Sequence, residues 1–384
     1  MMDLPRPTPE ALAHSERVIG HVRTEIERAG GWIPFARYME LVLYAPGLGY
    51  YMAGARKLGA DGDFVTAPEL SPLFGHTVAR QVAQGLEATG GEVLEIGAGS
   101  GALAASVLEE LERLDRLPAS YLILELSPEL RARSRDTLAA RVPHILERVA
   151  WLNGLPPGFN GVVLGNEVLD AMPVSVVRVE GGVVEEAGVV AAQGAAPFAW
   201  AHRPPAAAVA DAARTLALPD GYTTELGLVA RAFIASVAGI LERGIALFVD
   251  YGFPRAEYWH PQRRGGTLMC HYRHRAHGDP FFLPGLQDIT AHVDFTAMAE
   301  AAHGAGARML GYATQAQFLI NCGLTDLMAR IPAEDVRRYA PLAGAANKLT
   351  SPAEMGELFK VLAFGRGVEQ PLVGFRTGDR RGSL

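Results

Sequence analysis

Between residues 10 and 30 apolar side chains recur near helical spacing, at Leu12, Val18, Ile19, Val22 and Ile26. The pattern predicts an amphipathic helix stopped by Gly30-Gly31. From residue 93 onward, short apolar runs alternate with amphipathic stretches. Val93–Ile96, Tyr121–Leu126, Val149–Leu152, Val162–Leu164 and Ile245–Val249 predict strands. Helices are predicted over residues 102–114, 128–140 and 225–243, and a last strand at Phe359–Phe364. Strands alternating with helices imply an α/β fold, a mostly parallel sheet with helices on both faces.

Other stretches break this alternation. Trp32–Gly75 is rich in Gly, Pro and aromatics, including Tyr44, Tyr50, Tyr51, Phe64 and Phe74, and reads as an irregular binding loop. Residues 174–224 combine β-like alternation (Val174, Val176, Val177, Val179) with an Ala/Pro-rich run. Residues 252–295 are rich in aromatics, His and Arg.

Composition narrows the class. With 384 residues, two domain-sized units or one large domain with insertions are possible. Hydrophobic residues are 49% and charged residues 20%, a globular composition too apolar for disorder. A net charge of -7 argues against nonspecific binding to nucleic acid. Cys270 and Cys322 are the only cysteines, which excludes a disulfide scaffold or a multi-thiolate site. No apolar run approaches the roughly 18 residues of a membrane span, and Met1–Glu16 shows no targeting pattern. A cytoplasmic location is the expectation, and the oligomeric state is left open.

The most informative local motif is Glu95-Ile96-Gly97-Ala98-Gly99-Ser100-Gly101, placed after a strand and before a helix. Glycines allow backbone angles closed to other residues and let a ligand approach the main chain. The helix start offers amides to a carboxylate or phosphate. Gly97, Gly99 and Ala102 also fit G-x-G-x-x-A, so the glycines alone do not choose between a nicotinamide dinucleotide and S-adenosylmethionine (SAM). Glu95 ends the first strand, where SAM enzymes commonly carry an acid. Glu125 ends the second strand, 28 residues after Gly97, beyond the dinucleotide spacing of about 20. That favours SAM, with Glu125 accepting from two ribose hydroxyls. The plainer reading of Glu125 is a charge at the next helix start.

The fourth strand runs into Asn166-Glu167-Val168-Leu169-Asp170. Ligands of open parallel sheets bind beyond the carboxyl ends of the strands. Asn166 can orient a substrate nitrogen or the cofactor amine; Glu167 and Asp170 can hold a cation or accept a proton. Either acid could instead cap the following helix. Asp250, ending the fifth strand, could support them. His271, His274 and His277 have the spacing of one helical face, but Arg273, Arg275 and Pro280 argue for a basic loop rather than a metal site. No metal is expected.

Together these residues resemble the MidA-like family of class I SAM-dependent methyltransferases, whose mitochondrial member is a complex I assembly factor that methylates arginine. The resemblance runs from about Arg23 to Phe364. Its marks are Leu43–Tyr51, Gly62–Glu69 with Phe74-Gly75, Glu95–Gly101, Asn166-Glu167 with Asp170-Ala171, and Val249–Gly252. Asp288–Phe295 and Met355-Gly356 before Phe359-Lys360 complete them.

The resemblance implies a Rossmann-like sheet of seven strands with the last antiparallel, and helical and β insertions. It implies that Gly97, Gly99, Gly101 and Glu125 bind SAM and that Thr66 and Pro68 close over it. It makes Asp288, His292 and Asp294 site-proximal on the substrate side; otherwise they form a loop-to-helix cap. The expected organisation is an N-terminal segment 1–85 closing over the cofactor, a SAM-binding core 86–173 and 225–254, and a β-type insertion 174–224. A substrate-side region 255–364 and a tail 365–384 follow. The expected reaction is methyl transfer to a protein side chain of unknown identity, arginine by analogy, with Glu167 and Asp170 catalytic. A noncatalytic assembly protein retaining the fold and a nicotinamide oxidoreductase are the alternatives.

Overall fold

Seven apolar strands stack side by side at the centre of the larger of two units. The computed structural model describes residues 4–53, 66–194 and 196–384. One unit comprises Met1–Phe64, Leu169–Arg231 and Arg255–Val293; the other comprises Val65–Val168, Ala232–Pro254 and Asp294–Leu384.

In the larger unit the strands are β1 (Glu92–Ile96), β2 (Tyr121–Leu124), β3 (Val149–Leu152), β4 (Phe159–Asn166), β5 (Leu241–Phe253), β6 (Arg308–Thr314) and β7 (Phe359–Arg366). Their order across the sheet is β6-β7-β5-β4-β1-β2-β3. Neighbours from β5 to β3 pair in parallel, whereas β7 runs antiparallel to both β5 and β6. An eighth strand of two residues, Val293–Asp294, lies off that path. The sheet therefore has the expected α/β form, seven strands with the last reversed. Residues such as Val162, Leu164, Ile245, Leu247 and Val361 are buried, as both-face burial of a parallel sheet requires. Helices α1 (Ala67–Leu70), α2 (Pro72–Thr89), α3 (Ala102–Arg113) and α4 (Pro128–Arg141) belong to this unit, with α2 packed on α3. Residues 373–375 fasten the chain's last stretch, with Val373 and Gly374 amides donating to Gln84 and Gln81 at 2.8 and 2.9 Å.

The smaller unit has a sheet ordered Ile33–Pro34, Val183–Ala191, Ser175–Glu180, Thr223–Leu226, with Phe198–Arg203 paired to Val183–Ala191. A three-stranded sheet orders Arg275–His277, Met269–Tyr272 and Asp288–Thr290. Its core joins the helix Pro9–Arg28, through Val18 and Val22, to Phe35, Tyr38, Phe198 and Phe281.

Two sequence expectations need correction. Trp32–Gly75 is not irregular throughout: Phe35–Tyr44 is a helix, and α1 and the start of α2 also lie in it. The motif Gly62-Asp63-Phe64-Val65 lies outside the described residues. The helix expected over 225–243 spans Leu228–Ile240, because Glu225 completes the strand Thr223–Leu226. Arg273 and His274 adopt φ of 47° and 60° and turn a hairpin, so His271, His274 and His277 do not share a helical face, in keeping with the loop that the arginines and Pro280 imply.

A buried ion cluster ties α3 to the loop after residue 328. Glu110 is 1% exposed and receives paired bonds from Arg113 (2.8 and 2.9 Å) and Arg330 (both 2.7 Å). Burial pushes its carboxyl up, but these bonds outweigh burial and bring it down to about 2. Its stabilisation is complete above the unfolded value of 4.5 and is lost as pH falls through about 2. Glu110→Ala leaves two partly exposed guanidiniums without this acid and should cost about 1–2 kcal/mol in urea unfolding at neutral pH, with much less difference near pH 2.

Candidate active site

In the larger unit the sheet reverses order between β1 and β4, and the glycine loop leaves β1 at that point. Gly97, Gly99 and Gly101 have φ of 68°, 54° and 82°, left-handed values that a side chain would strain. Gly101 is the N-cap of α3 and has no side chain; Ser100 Oγ instead accepts the Ala102 N–H of the first turn at 3.3 Å. The Gly97 N–H donates to Leu124 O at 2.9 Å, which ties the loop to the end of β2.

Glu125 follows β2 immediately. Its Oε2 accepts the Gly99 N–H at 3.1 Å and its Oε1 accepts the Ser127 N–H at 2.9 Å. Burial raises this carboxyl above its ordinary value, against the lowering effect of those amides. Its neighbour Leu126 is 66% exposed, unusual for a leucine. The helix-start reading is also realised, because Ser127 caps α4 by accepting the Leu130 N–H. Glu95, by contrast, is 1% exposed. It accepts the Tyr121 hydroxyl at 2.5 Å, so its carboxylate is committed inside the sheet.

Thr66 is the N-cap of α1 but makes no capping bond, and Pro68 lies in that helix's first turn. Glu69, in the same short helix, accepts the Ser100 hydroxyl. Sequence reasoning gave Glu69 and Leu126 no role. A lone leucine after an acid carries no signal, and the Glu69 contact exists only in three dimensions.

At the end of β4, Asn166 Nδ2 donates to Glu167 Oε1 at 3.1 Å, while Asn166 Oδ1 is buried without a hydrogen bond. Glu167 has φ of 52°, strained for a residue with a side chain. Two bonds hold that turn: the Glu167 N–H donates to Val249 O at 2.8 Å, and the Val168 N–H donates to Asp250 Oδ2 at 3.2 Å. Asp250 Oδ1 also accepts the Tyr251 N–H at 2.9 Å, so Asp250 is built into the backbone. Asp294 caps the helix Phe295–Gly304, accepting from Thr296 and Ala297 at 3.1 and 3.2 Å.

The smaller unit gathers the remaining candidates. Asp288 Oδ1 accepts the Tyr51 hydroxyl at 2.8 Å, and Tyr51 stacks on Tyr44 at 5.4 Å between centroids. Tyr44 donates to Ala171 O at 2.9 Å, and the Ala291 N–H donates to Asp170 O at 3.0 Å. Asp170 and Asp288 are both buried, and the His292 N–H donates to Thr267 Oγ1 at 3.0 Å. Among the described residues, no group of three or more His, Cys, Asp or Glu could hold a metal ion.

The donor set around the glycine loop suits a nucleoside with an amino-acid tail. Amides at the loop and helix start match a carboxylate, the two oxygens of Glu125 match a ribose diol, and exposed Leu126 matches an apolar base face. Residues 77–313 match a family model described as S-adenosyl-L-methionine-dependent methyltransferase.

The chain belongs to that family.

A protein from Burkholderia thailandensis crystallised with S-adenosyl-homocysteine (SAH) is 54% identical. It has a TM-score of 0.96, and the match covers 100% of both chains. A Drosophila melanogaster relative named protein arginine methyltransferase NDUFAF7 homolog, mitochondrial, is 30% identical over 97% of this chain and 93% of its own. The Danio rerio protein arginine methyltransferase NDUFAF7 is 28% identical over 90% of this chain and 86% of its own. The resemblance to SAM-dependent methyltransferases therefore holds, and SAM is the cofactor of this methyltransferase family. Among the described residues no helix is long and apolar enough to cross a membrane.

Glu95 gives this methyltransferase a pH signature. Burial raises its carboxyl from 4.5 to about 7; the Tyr121 bond opposes that rise, and the charge of Glu125 adds to it. A raised folded value favours the folded state below pH 4.5, and the benefit is lost as pH rises through about 7. Glu95→Gln should therefore remove roughly 2–3 kcal/mol of stability change between pH 4 and pH 7, measured by urea unfolding across that range.

Proposed function

We propose that this methyltransferase modifies a protein side chain, arginine first, and that Glu167 is the group that holds the acceptor and takes its proton. The observation that carries the reading is the strained turn at Asn166-Glu167. A glutamate kept at φ of 52° beyond a central strand costs about 1 kcal/mol or more, and a glycine there would not. The names of the Drosophila and zebrafish relatives support arginine as acceptor.

Bound SAM supplies a methyl group activated by its sulfonium. The chain's own residues must then orient a nucleophile and exclude water. A guanidinium is charged at neutral pH, so it needs a carboxylate both to hold it and to receive the proton shed on methylation. Asn166 Nδ2 keeps Glu167 Oε1 in place. Asp170 is the second catalytic candidate, and within the smaller unit Tyr51 fixes Asp288. The loop glycines and Glu125 bind the cofactor, with Thr66 and Pro68 beside them.

Labelled methyl transfer from SAM into a lysate of the source organism, with mass spectrometry of the labelled protein, tests the acceptor class. Label on arginine supports the reading. Label on no protein, with SAM still bound, favours a noncatalytic assembly protein, and NADH binding without SAM binding favours an oxidoreductase. Within the site, Glu167→Gln should keep SAM affinity and slow single-turnover transfer by about 100-fold or more. Glu167→Gly should also abolish transfer, yet raise stability by about 1 kcal/mol by relieving the left-handed backbone. Full transfer in Glu167→Gln would remove that residue from the chemistry.

A further inference from the structure

Three carboxylates surround the glycine loop, and two of them already have a place, one buried in the sheet and one assigned to the ribose. Glu95 is inside the sheet on Tyr121, and Glu125 takes the amides of Gly99 and Ser127. The third is Glu69. Its Oε1 accepts the Ser100 hydroxyl, and its Oε2 takes no hydrogen bond among the described residues. Ser100 is itself anchored, because its Oγ accepts the Ala102 N–H at 3.3 Å. Glu69 is thus held against the loop by one oxygen and is only half-buried, with the other oxygen left as an acceptor.

The amino-acid tail of SAM carries a carboxylate and an ammonium. Loop amides and the start of α3 donate hydrogen bonds, so they match the carboxylate and repel the ammonium. An ammonium has three donors and no acceptor, and a charged acceptor is its strongest match. Asn166 Oδ1 is neutral and buried. Of the three, Glu69 is the half-buried carboxylate whose second oxygen no described residue bonds, and Glu125 is already assigned to the ribose.

We propose that Glu69 is a cofactor-binding residue that holds the α-ammonium of the methionine tail of SAM and SAH. The assignment rests on the SAM reading of the loop. It adds a role for α1, which Ser100 links to the loop.

Calorimetric binding of two ligands tests it. SAH carries the tail; 5′-methylthioadenosine keeps the adenosine and the sulfur but lacks the tail. Glu69→Gln should weaken SAH by about tenfold or more and leave 5′-methylthioadenosine within about twofold. The desamino analogue of SAH should bind the unmodified protein with the same loss, and Glu69→Gln should add nothing further to it. Ser100→Ala, which spares the carboxylate, should hold SAH affinity within about threefold. Equal weakening of SAH and 5′-methylthioadenosine would make Glu69 a loop support and overturn the assignment, as would unchanged SAH affinity. If Glu69→Gln does not fold, Glu69→Asp takes its place and should show a smaller loss confined to SAH. An unmodified protein that binds neither ligand would overturn the cofactor reading itself, which separates that failure from the failure of Glu69.

Discussion

The bond from the Gly99 amide to Glu125 Oε2 joins the two halves of the proposed cofactor site. It ties the loop leaving β1 to the residue that ends β2, and the Gly97 bond to Leu124 O repeats the tie one step closer to the strand. Both bonds require left-handed backbone at the glycines. They also require β1 and β2 to lie in parallel register, Ile96 beside Leu124, which the buried apolar runs enforce. The loop's shape is thus a consequence of the sheet, and the carboxylate expected to bind ribose also braces the loop before any ligand arrives.

Much of this was legible in the sequence because the larger unit obeys its own periodicities. Val149–Leu152 is a strand at the predicted bounds, and α3 and α4 lie within a residue of theirs. The misses have physical reasons. Phe35–Tyr44 sits in a segment dense in Gly, Pro and aromatics, and its buried face (Phe35, Tyr38, Met39, Val42) is seen only if composition is set aside for spacing. Glu225 continues an apolar pattern into a helix, but it is drawn into a strand where its buried carboxylate accepts the Thr267 and Leu268 amides.

The site was legible to a different degree. Gly97, Gly99, Gly101 and Glu125 cluster as the motif requires. Asp294 is a cap, the plainer of its two readings, because an acid before Phe-Thr looks the same in sequence whichever role it has. Asp250 is engaged by two backbone amides. Glu95 is turned inward. Sequence position places an acid at the end of a strand but does not say which face its carboxylate takes, and one residue of register decides that.

What sets the carboxyl edge of this sheet apart is that local preferences are broken there repeatedly. Glu95 is buried as an acid with a raised value, Glu167 has a left-handed backbone, and Asn166 Oδ1 is buried without a partner. Each costs stability where an apolar residue, a glycine or a serine would cost less. The opposite pattern holds at Glu110, away from that edge, where a buried acid is fully matched by arginines. A sheet that satisfies its charges in one place and leaves them costly in another concentrates the cost where ligands of this fold bind. The strained turn at Glu167 carries the proposal for the acceptor, as the half-buried carboxylate of Glu69 carries the one for the cofactor.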